Sequence, residues 1–195
     1  SYCMRKILSV MMILSVLLGF SNFGGERVSA ASNLKELEGL DIDMLDDEIL
    51  KEMFNYISSN EHGKPHFDVD QARLDGKSKE LLDQGKAFND FSDSYFKFYN
   101  NSVDSDRITT KISIPVWGNW CGPGYGGGPT KGLLDAACKK HDLDYKKYGY
   151  FDCASDARLI GRIQRDLKKM GFVEKIVARN VMSYFFVQIK ANGCY

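Results

Sequence analysis

Apolar residues recur every three to four positions along much of this 195-residue chain, the pattern of helices that each bury one face. Asp46 to Ile57 carries Ile49, Leu50, Met53, Phe54 and Ile57 on one face, and Asp46, Asp47 and Glu48 suit the positive N-terminal end of a helix. Ser78 to Tyr99 repeats the spacing with Leu81, Leu82, Phe88, Phe91, Tyr95 and Phe98. Gly85 is the weak point of that helix, because glycine is a poor helix former. Between the two, Ser58 to Asp75 is polar, contains Gly63 and Pro65, and reads as loop. Ile112 and Ile114 alternate with polar residues before Pro115, which predicts a short extended segment.

The pattern resumes after a glycine-rich stretch. Gly132 to Tyr148 places Leu134, Cys138, His141 and Tyr145 along one helix face, and Gly149 ends it. Asp152 is a candidate N-cap for a helix running to about Met170 and stopping at Gly171, with Leu159, Ile160, Ile163 and Leu167 inward. A last helix over Val173 to Lys190 carries Ile176, Val177, Val181, Tyr184 and Phe185. The expected fold is all-α. The expected organisation is a leader over residues 1–30, a helical segment over 31–115, and a second region over 116–195.

The leader is expected from composition. Arg5 and Lys6 precede a largely apolar run, Ile7 to Phe20, of 14 residues, and Val28-Ser29-Ala30 offers small residues for cleavage. Such a run is short for a bilayer span. It reads as a secretory signal, with Met4 as initiator and Ala31 as the mature start, against the alternative of an uncleaved anchor. No second apolar stretch reaches spanning length, so a soluble, secreted mature protein is expected. Four cysteines then remain, Cys121, Cys138, Cys153 and Cys194. An even count in an exported chain reads as two disulfides, and spacing alone leaves the three pairings open.

The formal net charge of zero hides an asymmetry. Residues 31–115 hold 18 acidic and 10 basic side chains, whereas residues 116–195 hold 7 acidic and 13 basic. The basic half favours an anionic surface such as phospholipid headgroups, although the same charges also serve as an ordinary solvated face.

The candidate chemistry lies in that basic half. Trp117-Gly118-Asn119-Trp120-Cys121-Gly122-Pro123-Gly124 precedes Cys138-Lys139-Lys140-His141-Asp142. Calcium takes six to eight oxygen ligands, often carbonyls plus a carboxylate, at roughly 2.3–2.6 Å. Gly122 and Gly124 allow the tight curl that points carbonyls at one spot. Asp142 supplies a carboxylate, and His141 can take a proton from water. Each part alone is weak evidence: the loop also reads as a surface turn or a phosphate cradle, though it lacks the Lys-Ser/Thr ending of a P-loop. Helix geometry adds a check. His141 lies eight residues before Gly149 and Asp156 seven after it, so an antiparallel hairpin sets them at similar height. Asp156 can then fix the tautomer of His141, with Tyr145 one turn on as a second partner of that carboxylate; otherwise Asp156 is a first-turn residue stabilised by the helix dipole.

The loop, followed by Asp135-Ala136-Ala137-Cys138-Lys139-Lys140-His141-Asp142-Leu143-Asp144-Tyr145, resembles the secreted phospholipase A2 superfamily. That family combines an aromatic-Cys-Gly-x-Gly calcium loop with an Asp-x-x-Cys-x-x-His-Asp helix. The resemblance spans about Trp117 to Lys169. It implies that the carbonyls of Trp120, Gly122 and Gly124 and the carboxylate of Asp142 hold Ca2+, that His141 is the general base, and that Asp156 orients it. It also implies hydrolysis of the sn-2 ester at a phospholipid membrane surface. Ala137 and Asp144 stand where many animal members have cysteine, and Tyr148 to Asp152 is too short for their β-hairpin. The pattern is similar to the disulfide-poor bacterial, fungal and parvoviral branch. We expect Cys121–Cys138 and Cys153–Cys194. The competing expectations are a non-catalytic binding or toxin module of the same fold, and a calcium-stabilised structural module.

Two further signals are weaker. His62 and His66 share a segment with Asp68 and Asp70, readable as a metal site or as solvated polar residues. Trp117 and Trp120 are candidates for a lipid interface or for packing against the last helix.

Overall fold

A computed structural model describes residues 45–60, 63–103 and 116–194, with residues 99–103 described by backbone alone. The leader, the chain up to Met44, His62, Ile112 and Ile114 lie outside the described residues. The architecture is mostly helical: α1 (Glu48–Phe54), α2 (Val69–Leu74), α3 (Lys79–Val103), α4 (Leu133–Tyr148), α5 (Cys153–Asp166) and α6 (Phe172–Ala191). A 3-10 turn, Leu167–Lys169, follows α5. No helix among the described residues is long and apolar enough to cross a membrane.

The polar stretch expected to be loop is more ordered than its composition implies. Strands β1 (Ile57–Ser59) and β2 (Pro65–Phe67) pair antiparallel, Ser58 opposite His66, and α2 follows. Asp68 caps α2 by accepting the N–H of Gln71 at 2.8 Å. The physical reason is tertiary. Asn89 on α3 bonds both the N–H and the carbonyl of Phe67, at 2.8 and 2.9 Å, and Phe67 is fully buried. Gly85 makes room for it: a Cβ there would lie 2.2 Å from the Phe67 ring. A mid-helix glycine costs about 1 kcal/mol, while burying a Phe side chain stabilises by roughly 1.5–3 kcal/mol. The packing outweighs the propensity. For the same reason α1 is shorter than its apolar spacing suggested, since Ile57 already belongs to β1.

The helical hairpin that carries the motif follows its sequence closely. Leu134, Cys138, His141 and Tyr145 are all buried on α4. Gly149 closes the helix at φ 100°, its N–H donating to the Tyr145 carbonyl. Asp152 caps α5 by accepting the Ser155 N–H at 2.9 Å. α5 packs between α4 and α6, and α6 also meets α3 and α1. One apolar core runs through both halves, from Leu50, Met53 and Phe88 to Ile160, Ile163, Val181 and Ile189. Polar bonds fasten the N-terminal elements to α6. Arg179 pairs with Asp47 at 2.9 Å, and Gln84 donates to Asn180 at 2.7 Å.

Candidate active site

Asp135 organises the glycine loop. It is fully buried in the first turn of α4, and its carboxylate accepts three backbone N–H groups: Asn119 at 3.0 Å, Trp120 at 2.7 Å and Lys131 at 2.7 Å. Gly118 sits at φ 61°, and a Cβ there would fall 2.3 Å from the Asp135 carboxyl carbon. Only glycine allows the backbone to wrap that side chain so closely. Cys121 is joined to Cys138, with Cα atoms 5.1 Å apart, so the loop is tied to the middle of α4. Cys153 is joined to Cys194, which ties the start of α5 to the end of α6. These are the two pairs expected.

The loop then closes over Asp142. A Cβ on Gly126 would lie 3.2 Å from Asp142 Oδ2 and 3.1 Å from the Trp120 ring. Gly122 and Gly124 take φ values of 143° and 67°, conformations that disfavour a side chain. Among the described residues, the carbonyls of Trp120 and Gly124 accept no hydrogen bond, whereas that of Gly122 accepts the N–H of Tyr125 at 3.2 Å. Trp120 is held by its own loop, its Nε1 donating to the Gly128 carbonyl at 2.9 Å, with the Lys139 ammonium 4.8 Å from its ring. Both Trp117 and Trp120 are half-buried and pack against the core.

Asp142 is half-buried, and no cationic side chain among the described residues neutralises it. Burial, reinforced by the nearby Asp135 charge, pushes its carboxyl up to about 7. An oxygen-seeking cation removes that penalty by supplying the missing positive charge. A half-buried carboxyl without a counter-ion, under a glycine loop with carbonyls to spare, is a donor set of the kind that fits calcium. Among the described residues there is no cluster of three or more His, Cys, Asp or Glu placed to hold a metal. Any cation site here therefore depends on backbone oxygens. His66 is exposed on β2, Asp68 is the α2 cap and Asp70 pairs with Arg73 at 2.6 Å, so these three serve separate local roles.

His141 occupies the preceding position, facing the hairpin interior. Its Nε2 lies 2.8 Å from Asp156 Oδ1, and the Tyr145 hydroxyl donates to the same oxygen. The imidazole is held between two rings, Tyr145 at 4.1 Å and Phe185 at 4.9 Å between centroids. Because a carboxylate accepts, the proton belongs on Nε2, and Nδ1 keeps its lone pair. Burial pushes the Asp156 carboxyl upward, against the hydrogen bonds from His141 and Tyr145 that pull it down. Asp156 Oδ2 is buried with no hydrogen-bond partner among the described residues. Tyr184 stands close enough that burial and the Asp156 charge both raise its hydroxyl.

The hairpin has a second pin on its outer side. Asp144 meets Arg158 at 3.1 Å and Arg162 at 2.9 Å, joining α4 to α5 where the resemblance had marked an absent cysteine. Three contributors escaped the sequence reading. Asp135 was visible at its fixed spacing before Cys138, but its bonds run to backbone, which carries no side-chain signature. Phe185 was legible only as a core residue. Glu174 accepts the Leu134 N–H at 2.9 Å and so caps α4 from 40 residues away, which no local pattern reveals.

Comparison of the chain with protein-family models, with curated proteins and with solved structures returns no match. The functional reading therefore rests on the residues and their geometry.

Proposed function

We propose that the chain is a secreted calcium-dependent phospholipase A2 that hydrolyses the sn-2 ester of glycerophospholipids at a membrane surface. The observation that carries this reading is the buried His141–Asp156 pair, at 2.8 Å, one residue away from the unneutralised Asp142 carboxyl. Asp142 and the carbonyls of Trp120, Gly122 and Gly124 would hold Ca2+, which when bound polarises the ester carbonyl and offsets its developing negative charge. The remaining steps belong to the chain. Asp156 accepts the Nε2–H of His141, holding the ring in the tautomer whose Nδ1 can take a proton. Nδ1 removes a proton from water as the water oxygen attacks the ester carbon. The N–H of Gly122 is the backbone donor assigned to the oxyanion. The imidazolium then returns its proton to the departing glycerol oxygen, and Asp156 balances the transient charge.

An unpartnered buried oxygen on Asp156 works against stability. Keeping it beside a histidine supports a catalytic role over a purely structural one. Export is part of the same proposal, from the leader pattern and the two disulfides together. The test is release of labelled fatty acid from the sn-2 position of a phospholipid, with and without a calcium chelator. Release that stops on chelation supports the reading. No release on any headgroup, with calcium still bound, would leave a binding module instead.

A further inference from the structure

Three aromatic side chains surround the turn between α4 and α5, and solvent reaches all of them. Tyr148 is 52% exposed, Tyr150 75% and Phe151 46%. Leu143, exposed as well, lies one helical turn before Lys146 and Lys147 on α4. Soluble chains scatter such side chains singly over their surface, whereas a run of them at one place marks a contact surface.

The backbone supplies a second observation. Phe151 takes a φ of 62°, and among the described residues no other residue except glycine has a positive φ. Glycine adopts that conformation at no steric cost, whereas a bulky side chain does so against its preference. The turn keeps a ring where glycine would relax the main chain.

The charges decide what kind of surface fits. The carboxylates at this turn are occupied: Asp144 pairs with Arg158 and Arg162, and Asp152 caps α5 and lies 3.7 Å from Arg158. Lys146 and Lys147 are exposed, and among the described residues neither pairs with a carboxylate. Lys147 stands 4.8 Å from the Tyr148 ring instead. Protein interfaces are rich in tyrosine and phenylalanine but depleted in lysine. Rings set beside lysines match the headgroup layer of a bilayer, where amphipathic rings settle and ammonium groups meet anionic lipid.

We propose that this turn docks the chain on an anionic phospholipid bilayer, with Tyr148, Tyr150 and Phe151 entering the headgroup layer and Lys146 and Lys147 meeting its phosphates. The inference deepens the proposed function, from which it takes a bilayer as the partner. It also sets the docked rings beside the hydrolytic site. The Tyr150 ring lies 5.3 Å from that of Tyr145, whose hydroxyl donates to Asp156.

Co-sedimentation of the calcium-free full chain with vesicles tests it, phosphatidylcholine alone against phosphatidylcholine mixed with phosphatidylglycerol. Tighter binding to the mixed vesicles is expected, weakening as salt rises. Tyr150→Ser should weaken that binding about tenfold, the loss of one partly buried ring. Phe151→Gly should weaken it similarly without lowering the melting temperature, because glycine accepts a φ of 62°. Phe172→Ser, at an exposed ring where α6 begins, should bind as wild type does. Wild-type binding in both turn variants overturns the proposal, as does equal binding to the two vesicles. A loss in Phe172→Ser as large as in the turn variants also overturns it, because docking would then not be particular to the turn. Absence of binding to either vesicle overturns it and leaves the turn to a protein partner. Hydrolysis of a monomeric short-chain phospholipid, measured with calcium on the same variants, separates the two proposals. Docking through the turn without hydrolysis overturns the phospholipase reading alone, and hydrolysis with undiminished docking in both turn variants overturns this one alone.

Discussion

The glycine loop and the α4–α5 hairpin are each fastened by a fully buried carboxylate, Asp135 in the first and Asp156 in the second. Asp135 accepts three backbone N–H groups and spends its bonding capacity on main chain. Among the described residues, Asp156 bonds side chains alone, His141 and Tyr145, through one oxygen, and its other oxygen has no partner. A carboxylate bonded to backbone fixes the path of a chain. A carboxylate bonded to an imidazole fixes a tautomer and leaves the other ring nitrogen free to take a proton. On the proposed function, the same residue type, equally buried, thus does structural work in one region and chemical work in the other. Substitutions should separate the two.

Asp135→Ala should have the largest effect on stability. It strands three backbone N–H donors and empties a buried site, for a loss of about 3–5 kcal/mol in denaturant unfolding. Gly118→Ala should approach it, because its Cβ would enter the Asp135 carboxyl. Asp156→Asn should behave in the opposite way. Its oxygen can still accept from His141, and the penalty of burying a charge is removed, so stability should change little. Turnover should fall about 10–100-fold, the usual effect of losing a group that orients a catalytic ligand. A large stability loss in Asp156→Asn with turnover intact would erase the distinction.

A fourth substitution concerns pH. The Asp142 carboxyl is raised from 3.8 to about 7 in the folded chain. Through that window the calcium-free folded state holds a proton that the unfolded chain has released. Its stability contribution is therefore lost as pH rises from about 4 to 7. Above pH 7 and without calcium, Asp142→Asn should be more stable than wild type, on the order of 1–2 kcal/mol after solvent screening. With calcium the order should reverse, because only wild type gains from binding. Melting temperatures at pH 5 and 8, with and without calcium, read all four states. A variant less stable than wild type in calcium-free buffer at pH 8 would remove the assigned role of Asp142.

The smallest effects are expected on the outer face of α4. Lys139 already covers Trp120, and Lys147 lies 4.8 Å from the Tyr148 ring, while Lys140 and Lys146 are exposed. Charge reversal at Lys140 and Lys146 should weaken binding to anionic vesicles severalfold in low salt. Hydrolysis of a monomeric short-chain substrate should be nearly unchanged. Equal losses on both substrates would point to damage at the site.

The contrast between the two regions also explains what the sequence discloses. Helix periodicity marked α1 and α3 to α6, because one buried face per helix is a local signal. The rise per residue placed His141 opposite Asp156 before any contact was known. The β1–β2 hairpin and α2 were hidden, because Phe67 is held by Gly85 and Asn89 from a distant helix. The work of Asp135 was hidden because its partners are backbone groups.

The central claim is that neighbouring residues divide the work, His141 moving the proton and Asp142 holding the cation. Calorimetric calcium titration of wild type, His141→Asn and Asp142→Asn, with turnover measured on the same samples, tests it most directly. The expected result is calcium affinity retained in His141→Asn with turnover reduced by about 10²–10⁴-fold, and both lost in Asp142→Asn. Calcium affinity undiminished in Asp142→Asn, or near wild-type turnover in His141→Asn, would contradict it.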